Sequence, residues 1–408
     1  MRIVLLAVKP TCSVTEGFLP AAHRLGSRVI LLTDRPAAHA AAYAGWPAGP
    51  AEIIGCDVRD PRAVIDRVSR LGRPDAVFSN SDHLQTQAAL AADYLGLPGK
   101  DWRATLRAKH KPLMRRHLAG LDPVYAVPLG PTDDPARLPD PPFPCVLKPA
   151  EGVASEDVVL VGDAAELAAR TGEVRARRPG ETLLVEEFLA GPLHTLETVG
   201  DTSGLGVLGG FRTELSPPPY FVEERMAWPG ELPGTVRDRV LGSVLGQLRA
   251  LGVGLGACHT EFVRQGDRAR LVEVNYRIIG DQCDLLLAEM LELPLFEQVL
   301  RAHLGEPVTA EIPPWPGTGR QVGGPHARIE WALVSRSGTL VAAPGPVDAE
   351  TAGVRLAYRP LRRVGERVAL THTNRDYLGV LRAYGADPGA VDRVVAAFWA
   401  GRRWDIEP

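Results

Sequence analysis

A segment with polar side chains on one face constrains the fold of this chain more than any other stretch. Leu271–Arg277 alternates apolar and polar residues, which is the pattern of a half-buried strand. Successive side chains of a strand point to opposite faces, so Glu273, Asn275 and Arg277 should share one face. The preceding segment, Cys258–Val263, has the same alternation. Two such segments close together predict a pair of neighbouring strands.

The short connection between these segments favours a hairpin. Gln265–Asp267 contains Gly266 between polar residues, which is turn chemistry. A hairpin would bring the carboxylates of Glu261 and Glu273 and the amide of Asn275 together, with a guanidinium at the edge. Three oxygen ligands suit a hard cation such as Mg²⁺. The alternative is a solvated hairpin face with an ordinary Glu/Arg pair.

Length and composition limit the class of protein. A chain of 408 residues is too long for one ordinary domain, so two or three are expected. Hydrophobic residues make up 45% and charged residues 23%, which is typical of a soluble globular protein. The formal net charge of −3 gives no basic surplus, so nucleic acid is not expected as a partner.

The cysteines and the N-terminus favour a cytoplasmic protein. The five Cys residues contain no C-x-x-C pair and no zinc-like spacing with His, and they are interpreted as reduced thiols. The first residues enter a strand pattern directly, without the features of a signal peptide. The apolar run Asp284–Phe296 contains acidic residues and is too short to span a bilayer, so no membrane partner is expected.

Strand and helix patterns alternate through the first hundred residues. This alternation predicts a small parallel sheet with helices on both faces. No G-x-G-x-x-G follows the first strand, so a dinucleotide site has no support. The predicted strands are Arg2–Val8, Arg28–Thr33, Ile53–Ile54 and Ala76–Ser79, and the predicted helices end near Leu25 and cover Pro61–Leu71.

A polar loop, Ser79–His83, follows the last of these strands. Open α/β sheets bind ligands beyond the carboxyl ends of their strands, so this loop is a candidate for ligand contact. The alternative is a helix N-cap by Ser81 or Asp82, and we favour the cap.

Several segments in the middle of the chain carry charged residues at the start of a helix or at the end of an apolar strand. A helix opens around Lys111, and the apolar strand Phe143–Pro149 ends in Lys148, whose flexible point charge suits phosphate. The loop Glu151–Val158 follows, and Thr182–Gly191 contains an acidic pair. Taken alone, these features also fit solvated lysines and an amphipathic strand with exposed acids.

The remaining elements are predicted from periodicity and turn residues. A Pro/Gly-rich boundary is expected at Pro313–Gly324, and a β-hairpin turn is expected at Ser335–Gly338. The expected helices are Thr235–Leu251, Asp281–Leu293 and Asp376–Tyr384, and the expected late strands are Arg328–Val334, Val354–Tyr358 and Arg367–Thr373.

The order of these motifs resembles the ATP-grasp superfamily. Glu261 followed by Glu273-Val274-Asn275-Tyr276-Arg277 is similar to that family's metal-binding E-x-N-x-R end. The resemblance implies an α/β (α+β) ATP-grasp fold with an N-terminal Rossmann-like pre-ATP-grasp domain and a C-terminal lobe. The implied domains are residues 1–106, 107–312 and 313–408.

The resemblance also implies the site residues. Metal ligands would be Glu261, Glu273 and Asn275, and Arg277 and Lys148 would be catalytic. Leu193 stands where the family has a ribose-binding Glu, so His194 is the candidate replacement, and Asp157 replaces a usual Gly in the loop. The residues implied to bind nucleotide are Lys111, Lys148, Ser155, Glu186, Phe188, Leu189, His194 and Glu197.

The implied activity is an ATP-dependent carboxylate–amine ligase. Its cofactors would be ATP and Mg²⁺, with Mn²⁺ as an alternative, and its partners a small carboxylic acid and an amine or amino acid. An amide would form through an acyl phosphate, as in dipeptide or siderophore assembly, and a homodimer is left open. The alternatives are an ATP-dependent carboxylase on the same scaffold and a nucleotide-binding protein without catalysis.

Overall fold

The computed structural model describes residues 1–232, 234–312 and 324–408. Within these ranges the strands form four sheets, of four, ten, three and four strands. The largest apolar cluster lies where the first sheet, the ten-stranded sheet and two helices after residue 280 meet. No helix in the described ranges is long and apolar enough to cross a membrane.

The N-terminal part is a parallel four-stranded sheet, as predicted. Its strand order is β3-β2-β1-β4, and all its pairings are parallel. A six-residue π-helical segment, Ser13–Phe18, leads directly into the first helix. The elements in chain order are β1 (Arg2–Leu6), α1 (Leu19–Arg24), β2 (Arg28–Thr33), α2 (Pro36–Tyr43), β3 (Glu52–Gly55), α3 (Pro61–Arg70), β4 (Ala76–Ser79) and α4 (Gln85–Tyr94).

Two short helices and a second four-stranded sheet follow. Its order is β5-β8-β6-β7, and its pairings are antiparallel. Cys145 and Leu147 pack in the apolar cluster that includes residues of α7, so the alternating Lys148 takes the other face. The elements are α5 (Trp102–Lys109), α6 (Lys111–Leu118), β5 (Ala126–Leu129), β6 (Cys145–Pro149), β7 (Val159–Val161), α7 (Ala164–Arg177) and β8 (Leu183–Glu187).

The ten-stranded sheet begins with the hairpin-rich middle of the chain. The apolar side of α8 is predicted correctly: Val240, Val244 and Leu248 are buried against one face of this sheet. The opposite face carries the polar residues of the hairpin. The elements are β9 (Leu193–Asp201), β10 (Gly204–Gly209), β11 (Arg212–Leu215), β12 (Glu223–Trp228), α8 (Gly234–Leu251), β13 (Gly256–Gln265), β14 (Arg268–Asn275), α9 (Cys283–Met290) and α10 (Leu295–His303).

The C-terminal strands extend the same sheet. The order of the ten-stranded sheet is β14-β13-β9-β11-β12-β15-β20-β18-β17, with β10 paired to β9. A separate three-stranded sheet has the order β19-β16-β21. The predicted boundary at Pro313–Gly324 falls almost wholly outside the described residues. The elements are β15 (His326–Leu333), β16 (Gly338–Ala342), β17 (Val347–Thr351), β18 (Val354–Pro360), β19 (Arg367–Val368), β20 (Tyr377–Gly385), α11 (Pro388–Ala400) and β21 (Asp405–Glu407).

Two predictions for this region are wrong. The predicted helix Asp376–Tyr384 is the strand β20, and it lies between β15 and β18 in the large sheet. The predicted hairpin at Ser335–Gly338 does not form, because β15 and β16 belong to different sheets. The helices α10 and α11 are not among the predicted elements.

Candidate active site

The hairpin of β13 and β14 brings the three predicted metal ligands together. Glu261 lies directly opposite Glu273, and His259 lies opposite Asn275. The Asn275 amide donates to Glu261 Oε1 at 3.4 Å. The strand ends at Asn275, so Arg277 follows the hairpin rather than belonging to it. Like charges directly opposite each other destabilise a strand pair, so this arrangement needs a cation.

A buried histidine supplies part of that positive charge. His259 Nδ1 lies 2.8 Å from Glu197 Oε1, and Nε2 lies 3.4 Å from Glu261 Oε1. Burial alone would lower the pKa of His259, but the two carboxylates raise it to about 10. His259 is therefore an imidazolium at neutral pH, held between the predicted nucleotide ligand Glu197 and the predicted metal ligand Glu261.

The acids around the hairpin exceed what His259 can compensate. Burial, together with the charges of Glu261 and Asp281, raises the pKa of Glu223 to about 8. This shift means that an additional negative charge is unfavourable here. This part of the site would therefore bind cations, either a metal ion or an ammonium group.

Lys111 connects the second four-stranded sheet to this hairpin. Its Nζ donates to Glu273 Oε1 at 2.8 Å and to the carbonyl of Gly152 at 3.3 Å. Lys111 is the first residue of α6, whose N-cap His110 accepts from the backbone N–H of Leu113. The break between α5 and α6 at His110 directs this lysine toward the hairpin.

Arg277 pairs with an acid from the first sheet. Its Nε and Nη2 donate to Asp82 Oδ2 at 3.0 and 2.8 Å. Burial would raise the pKa of Asp82, but Arg277 lowers it. The favoured N-cap interpretation of Ser81 or Asp82 is wrong, because α4 begins at Gln85 without a side-chain cap. The loop after β4 contributes to the site instead, where parallel sheets bind ligands.

A second charged cluster lies on the second four-stranded sheet (β5–β8), called the small sheet below, on the face opposite α7. Glu186 Oε1 accepts from Lys148 Nζ at 2.7 Å, and both its oxygens accept from Arg115 at 2.7 and 2.9 Å. Burial would raise the pKa of Glu186, but Lys148 and Arg115 lower it to about 2. The alternative of an exposed acidic pair is wrong for Glu186, which is 3% exposed. One acid faces two bases, so the cluster retains positive charge.

The acids Glu156 and Asp157 of the loop Glu151–Val158 are paired with arginines. Asp157 pairs with Arg177 at 2.7 Å and with Arg178, and Glu156 pairs with Arg178 at 2.8 Å and with Arg375. The charges of these acids are therefore compensated, although both acids line the same cavity as Ser155. Ala154, Ser155 and Asp157 have positive φ angles of 57°, 55° and 56°, a conformation in which a Gly is the usual residue. Ser155 lines a cavity of about 460 Å³ with Tyr220 and His372.

The strand β8 leads into the predicted adenine-binding segment. The Phe188 ring lies 6.2 Å from that of Phe221, and Leu189 is buried in a small apolar cluster with Leu193 and Val263. These two residues lie at the junction between the small sheet and the large sheet. Their assignment to nucleotide binding stays a prediction.

His194 lies away from the other predicted site residues. It is directly opposite Phe262 on β13, their rings are stacked at 5.7 Å, and Phe262 packs against α8. Glu197 is three residues further along β9 and faces the hairpin acids. Burial, Arg264 and Arg212 lower the pKa of His194 to about 4. The structure therefore does not support His194 as a replacement for a ribose ligand.

The geometry of the hairpin is compatible with Mg²⁺. Within the described ranges, no group of three or more His, Cys, Asp or Glu side chains is placed to hold a metal ion. The predicted set contains two carboxylates and an amide, a ligand chemistry that Mg²⁺ accepts when substrate phosphates and water complete its shell. A cation between Glu261 and Glu273 would also relieve their cross-strand repulsion.

Sequence reasoning missed four charged residues of this site. These are Asp82, Lys109, Glu223 and Asp281. Asp82 lies in the loop after β4 that the sequence marked as a candidate for ligand contact, but the cap interpretation was favoured there. Lys109 has a pKa lowered by burial and lies in electrostatic range of Asp82 and Glu273. Glu223 and Asp281 carry no local sequence signal, because only the folding of β12 and the start of α9 brings them to the hairpin.

Comparisons with known proteins agree with this architecture. Residues 141–285 match the ATP-grasp domain family. The uncharacterized protein y4rH of Sinorhizobium fredii (strain NBRC 101917 / NGR234) is 27% identical over 428 residues, which cover 100% of this chain and 84% of that protein.

Solved structures are similar over nearly the whole chain. The L-amino acid ligase of Bacillus licheniformis has a TM-score of 0.80 at 21% identity, covering 100% of this chain and 99% of that one. Phosphoribosylglycinamide synthetase of Anaerococcus prevotii has a TM-score of 0.72 at 14% identity, with coverage of 100% and 99%. Biotin carboxylase of Campylobacter jejuni has a TM-score of 0.68 at 15% identity, with coverage of 99% and 92%. This chain therefore has the ATP-grasp fold, and its residues 141–285 match an ATP-grasp domain.

Proposed function

We propose that this protein is an ATP-dependent carboxylate–amine ligase that forms an amide and releases ADP and phosphate. The observation that carries the proposal is the contact between Lys111 and Glu273 at 2.8 Å. It joins a cation suited to phosphate, on the helix α6, and a carboxylate suited to a metal ion, on the strand β14. Transfer of a phosphoryl group needs both, because charge spreads over the phosphate oxygens during the reaction.

The first step activates the acid substrate. A carboxylate oxygen attacks the γ-phosphorus of ATP, the bond to the β–γ bridging oxygen breaks, and ADP leaves with that electron pair. Lys111 and Lys148 hold phosphate oxygens, and Arg277 holds the transferred group through paired hydrogen bonds. Mg²⁺, held by Glu261, Glu273 and Asn275, supplies charge stabilisation at the phosphates when bound, with Mn²⁺ as an alternative.

The second step forms the amide. The amine attacks the acyl carbon, phosphate leaves with the electron pair of the carbon–oxygen bond, and the nitrogen loses a proton. No side-chain nucleophile takes part. Glu223 makes this region favourable for a group that arrives as an ammonium ion, since burial and the neighbouring acids Glu261 and Asp281 raise its pKa. An amino acid or simple amine therefore fits better than a neutral partner.

We place the nucleotide between the second four-stranded sheet and the ten-stranded sheet. The backbone around Phe188 and Leu189 would hold adenine, Ser155 and its loop would cover the phosphates, and Glu197 would lie near the ribose side. Residues 107–312 would form the catalytic domain, between an N-terminal domain at 1–106 and a C-terminal lobe at 313–408. The substrate class is that of dipeptide or siderophore assembly.

The competing function is an ATP-dependent carboxylase, since a biotin carboxylase shares the fold. The discriminating experiment measures ADP release from Mg-ATP with a panel of amino acids, with and without bicarbonate, and with hydroxylamine as a trap. A ligase gives acid-dependent ADP release and a hydroxamate. ADP release that requires bicarbonate and gives no hydroxamate would indicate the carboxylase. Binding of Mg-ATP without any substrate-dependent ADP release would indicate a non-catalytic protein.

A further inference from the structure

One buried arginine has no partner in the described part of the chain. Five Lys and Arg side chains are buried there: Lys100, Lys111, Arg115, Lys148 and Arg382. The first four donate hydrogen bonds to protein oxygens. Arg382 is 6% exposed, and its Nε and Nη1 are buried without a hydrogen-bond partner.

The acids near Arg382 are already engaged with other groups. Glu16 binds Arg359 with both its oxygens, at 2.5 and 2.6 Å. Glu289 accepts from the Tyr384 hydroxyl at 3.2 Å and lies 3.7 Å from Arg355. A guanidinium stays charged at any working pH, so a buried one without a partner is unfavourable. An anion from outside the chain would remove this cost.

Two further buried polar groups on the same side lack partners. Arg382 lies opposite Ile329, and Trp331 lies opposite Val380, so Arg382 and Trp331 share one face of the sheet. The indole Nε1 of Trp331 has no hydrogen-bond partner. Asp284 is fully buried: its Oδ1 accepts from the backbone N–H of Leu285 at 2.9 Å, whereas its Oδ2 has no hydrogen-bond partner, and the carboxylate lies in electrostatic range of Arg382. Three donor nitrogens, on Arg382 and Trp331, and one acceptor oxygen, on Asp284, therefore have no hydrogen-bond partner in the described part of the chain.

This cluster is continuous with the proposed active site. The Trp331 ring stacks on Tyr377 at 4.9 Å, and the Tyr377 hydroxyl donates to the backbone carbonyl of Glu223 at 3.0 Å. Asp284 follows Asp281 by three residues and lies in electrostatic range of Arg277. A substrate at the hairpin could therefore extend toward Arg382 along the face of β20 that carries Val380.

We propose that Arg382 binds the carboxylate of the amine substrate, with the Trp331 indole as a second donor, so that the amine substrate is an amino acid. The inference rests on the proposed function. The reacting carboxylate must meet Arg277 and the phosphates, whereas the amino acid that acts as the amine keeps its own carboxylate throughout. That retained carboxylate needs a cation of its own. The product would carry a free carboxylate, as a dipeptide does.

The first test compares two buried arginines in the ligand-free protein. Arg382→Met removes an unpaired charge and should raise Tm, because an apolar side chain of similar length fills the same space. Arg115→Met is the matched control: it leaves Glu186 with one partner fewer and should lower Tm. A lower Tm for Arg382→Met would mean that Arg382 supports the fold through a partner of its own, and would overturn the proposal.

The second test compares amine substrates that differ only in charge. With the acid that gives a hydroxamate, product formation is measured with L-alanine and with L-alaninamide. The wild type should prefer L-alanine, and Arg382→Met should lose about a hundredfold of kcat/KM for L-alanine with little change for L-alaninamide. Arg382→Lys should recover part of the loss. An unchanged preference in Arg382→Met, or equal losses for both amines, would overturn the proposal.

The two proposals fail in different ways. Hydroxamate formation in the wild type supports the ligase whatever Arg382→Met does. If no acid gives a hydroxamate, the subsite is tested by binding alone, with each of the common L-amino acids and its amide as probes in a thermal shift assay. A Tm increase with an amino acid, absent with its amide and absent in Arg382→Met, would support the subsite. No such increase would overturn it.

Discussion

Two charged clusters face each other in this protein, and they are built in opposite ways. In the small sheet, Glu186 is surrounded by Lys148 and Arg115, and its pKa falls to about 2. At the hairpin, Glu223 lies among other acids, and its pKa rises to about 8. Glu186 is buried and Glu223 is half-buried, and burial alone would raise both pKa values. The neighbouring charges decide the direction of each shift.

The difference indicates what each cluster can accept. The small-sheet cluster has more bases than acids and suits the negative phosphates of a nucleotide. The hairpin cluster has more acids than bases and suits a metal cation or an ammonium group. Lys111 lies between them and bonds to Glu273. A bound nucleotide with its cation would satisfy both clusters at once.

The largest expected effect is the loss of turnover when a substitution removes a charge from the hairpin cluster. Glu273→Gln should lower turnover on the order of a thousandfold, because a charged ligand to a hard cation becomes neutral and transition-state stabilisation is lost. The fold should survive, since Glu273 is not part of an apolar cluster. The measurement is acid-dependent ADP release at saturating Mg²⁺, with the exposed Glu350→Gln as control. Unchanged turnover would show that the hairpin is not the metal site.

The next prediction removes the compensating acid from the small sheet. Glu186→Gln leaves Lys148 and Arg115 buried without a counter-charge and should cost about 3–5 kcal/mol of unfolding free energy. In the wild type, the depressed pKa of Glu186 stabilises the fold above pH ~4.5, and this contribution is lost as the pH falls toward ~2. Urea unfolding at pH 7 and at acid pH measures both effects.

The control for this variant is Glu181→Gln, which changes an exposed acid near the end of α7. It should leave the unfolding free energy within about 0.5 kcal/mol of the wild type. If Glu186→Gln is equally mild, the charges of the small sheet are not compensated in the way described.

A third change tests the arginine next to the hairpin. Arg277→Ala should lower turnover about a hundredfold, since one charge-assisted contact to the transferred group is worth about 3 kcal/mol. Arg277→Lys should recover only part, because an ammonium cannot make paired hydrogen bonds. Steady-state ADP release gives the rates, and the exposed Arg268→Ala is the control. Full activity of Arg277→Ala would exclude a role in the chemistry.

The opposite pKa shifts of the two clusters also predict opposite pH effects. The pKa of Glu223 is higher in the folded protein than in the unfolded chain, so its contribution to stability is present at pH 4–5 and is lost as the pH rises toward about 8. Without metal or nucleotide, Tm should therefore fall between pH 5.5 and 8.5. Glu223→Gln should show a smaller fall in differential scanning calorimetry. An identical pH dependence would mean that Glu223 is not the group responsible.

The smallest expected effect is the increase in Tm caused by a ligand that contacts both clusters. Mg-ATP at a hundredfold excess over its Kd stabilises the folded state by about 2.7 kcal/mol, which is about 3 °C in Tm for a chain of this length. Mg²⁺ or ATP alone should give less, because each satisfies only one cluster. Absence of binding at millimolar Mg-ATP in titration calorimetry would contradict the nucleotide assignment.

Local sequence patterns predicted the strands and helices whose apolar residues follow one regular spacing. The strands β2 and β4 and the apolar stripe of α8 follow directly from β-branched runs and helical spacing. The strand β20 was taken for a helix because it is buried on both faces, which removes the alternation of a strand, and a bulge near Leu378 shifts its register. A partner strand far along the chain decides such a case.

The site was predicted where the ligating residues lie close together in the sequence. Glu261, Glu273 and Asn275 come from one hairpin, so alternation alone placed them on a shared face. Asp82 and Glu223 reach the same place through separate sheets and loops. His194 and Glu197 are three residues apart on β9, so their side chains point to opposite faces, and only Glu197 faces the hairpin acids.

Ion pairs connect the loop Glu151–Val158 to neighbouring elements. Glu156 and Asp157 reach the end of α7 and the segment between β19 and β20 through Arg177, Arg178 and Arg375, and the Asn374 backbone N–H donates to the Ala154 carbonyl at 3.0 Å. Any opening of this loop to admit or release a ligand beneath it must separate partly exposed ion pairs. Salt weakens such pairs, so the exchange rate of that ligand should increase with ionic strength even when its equilibrium affinity does not.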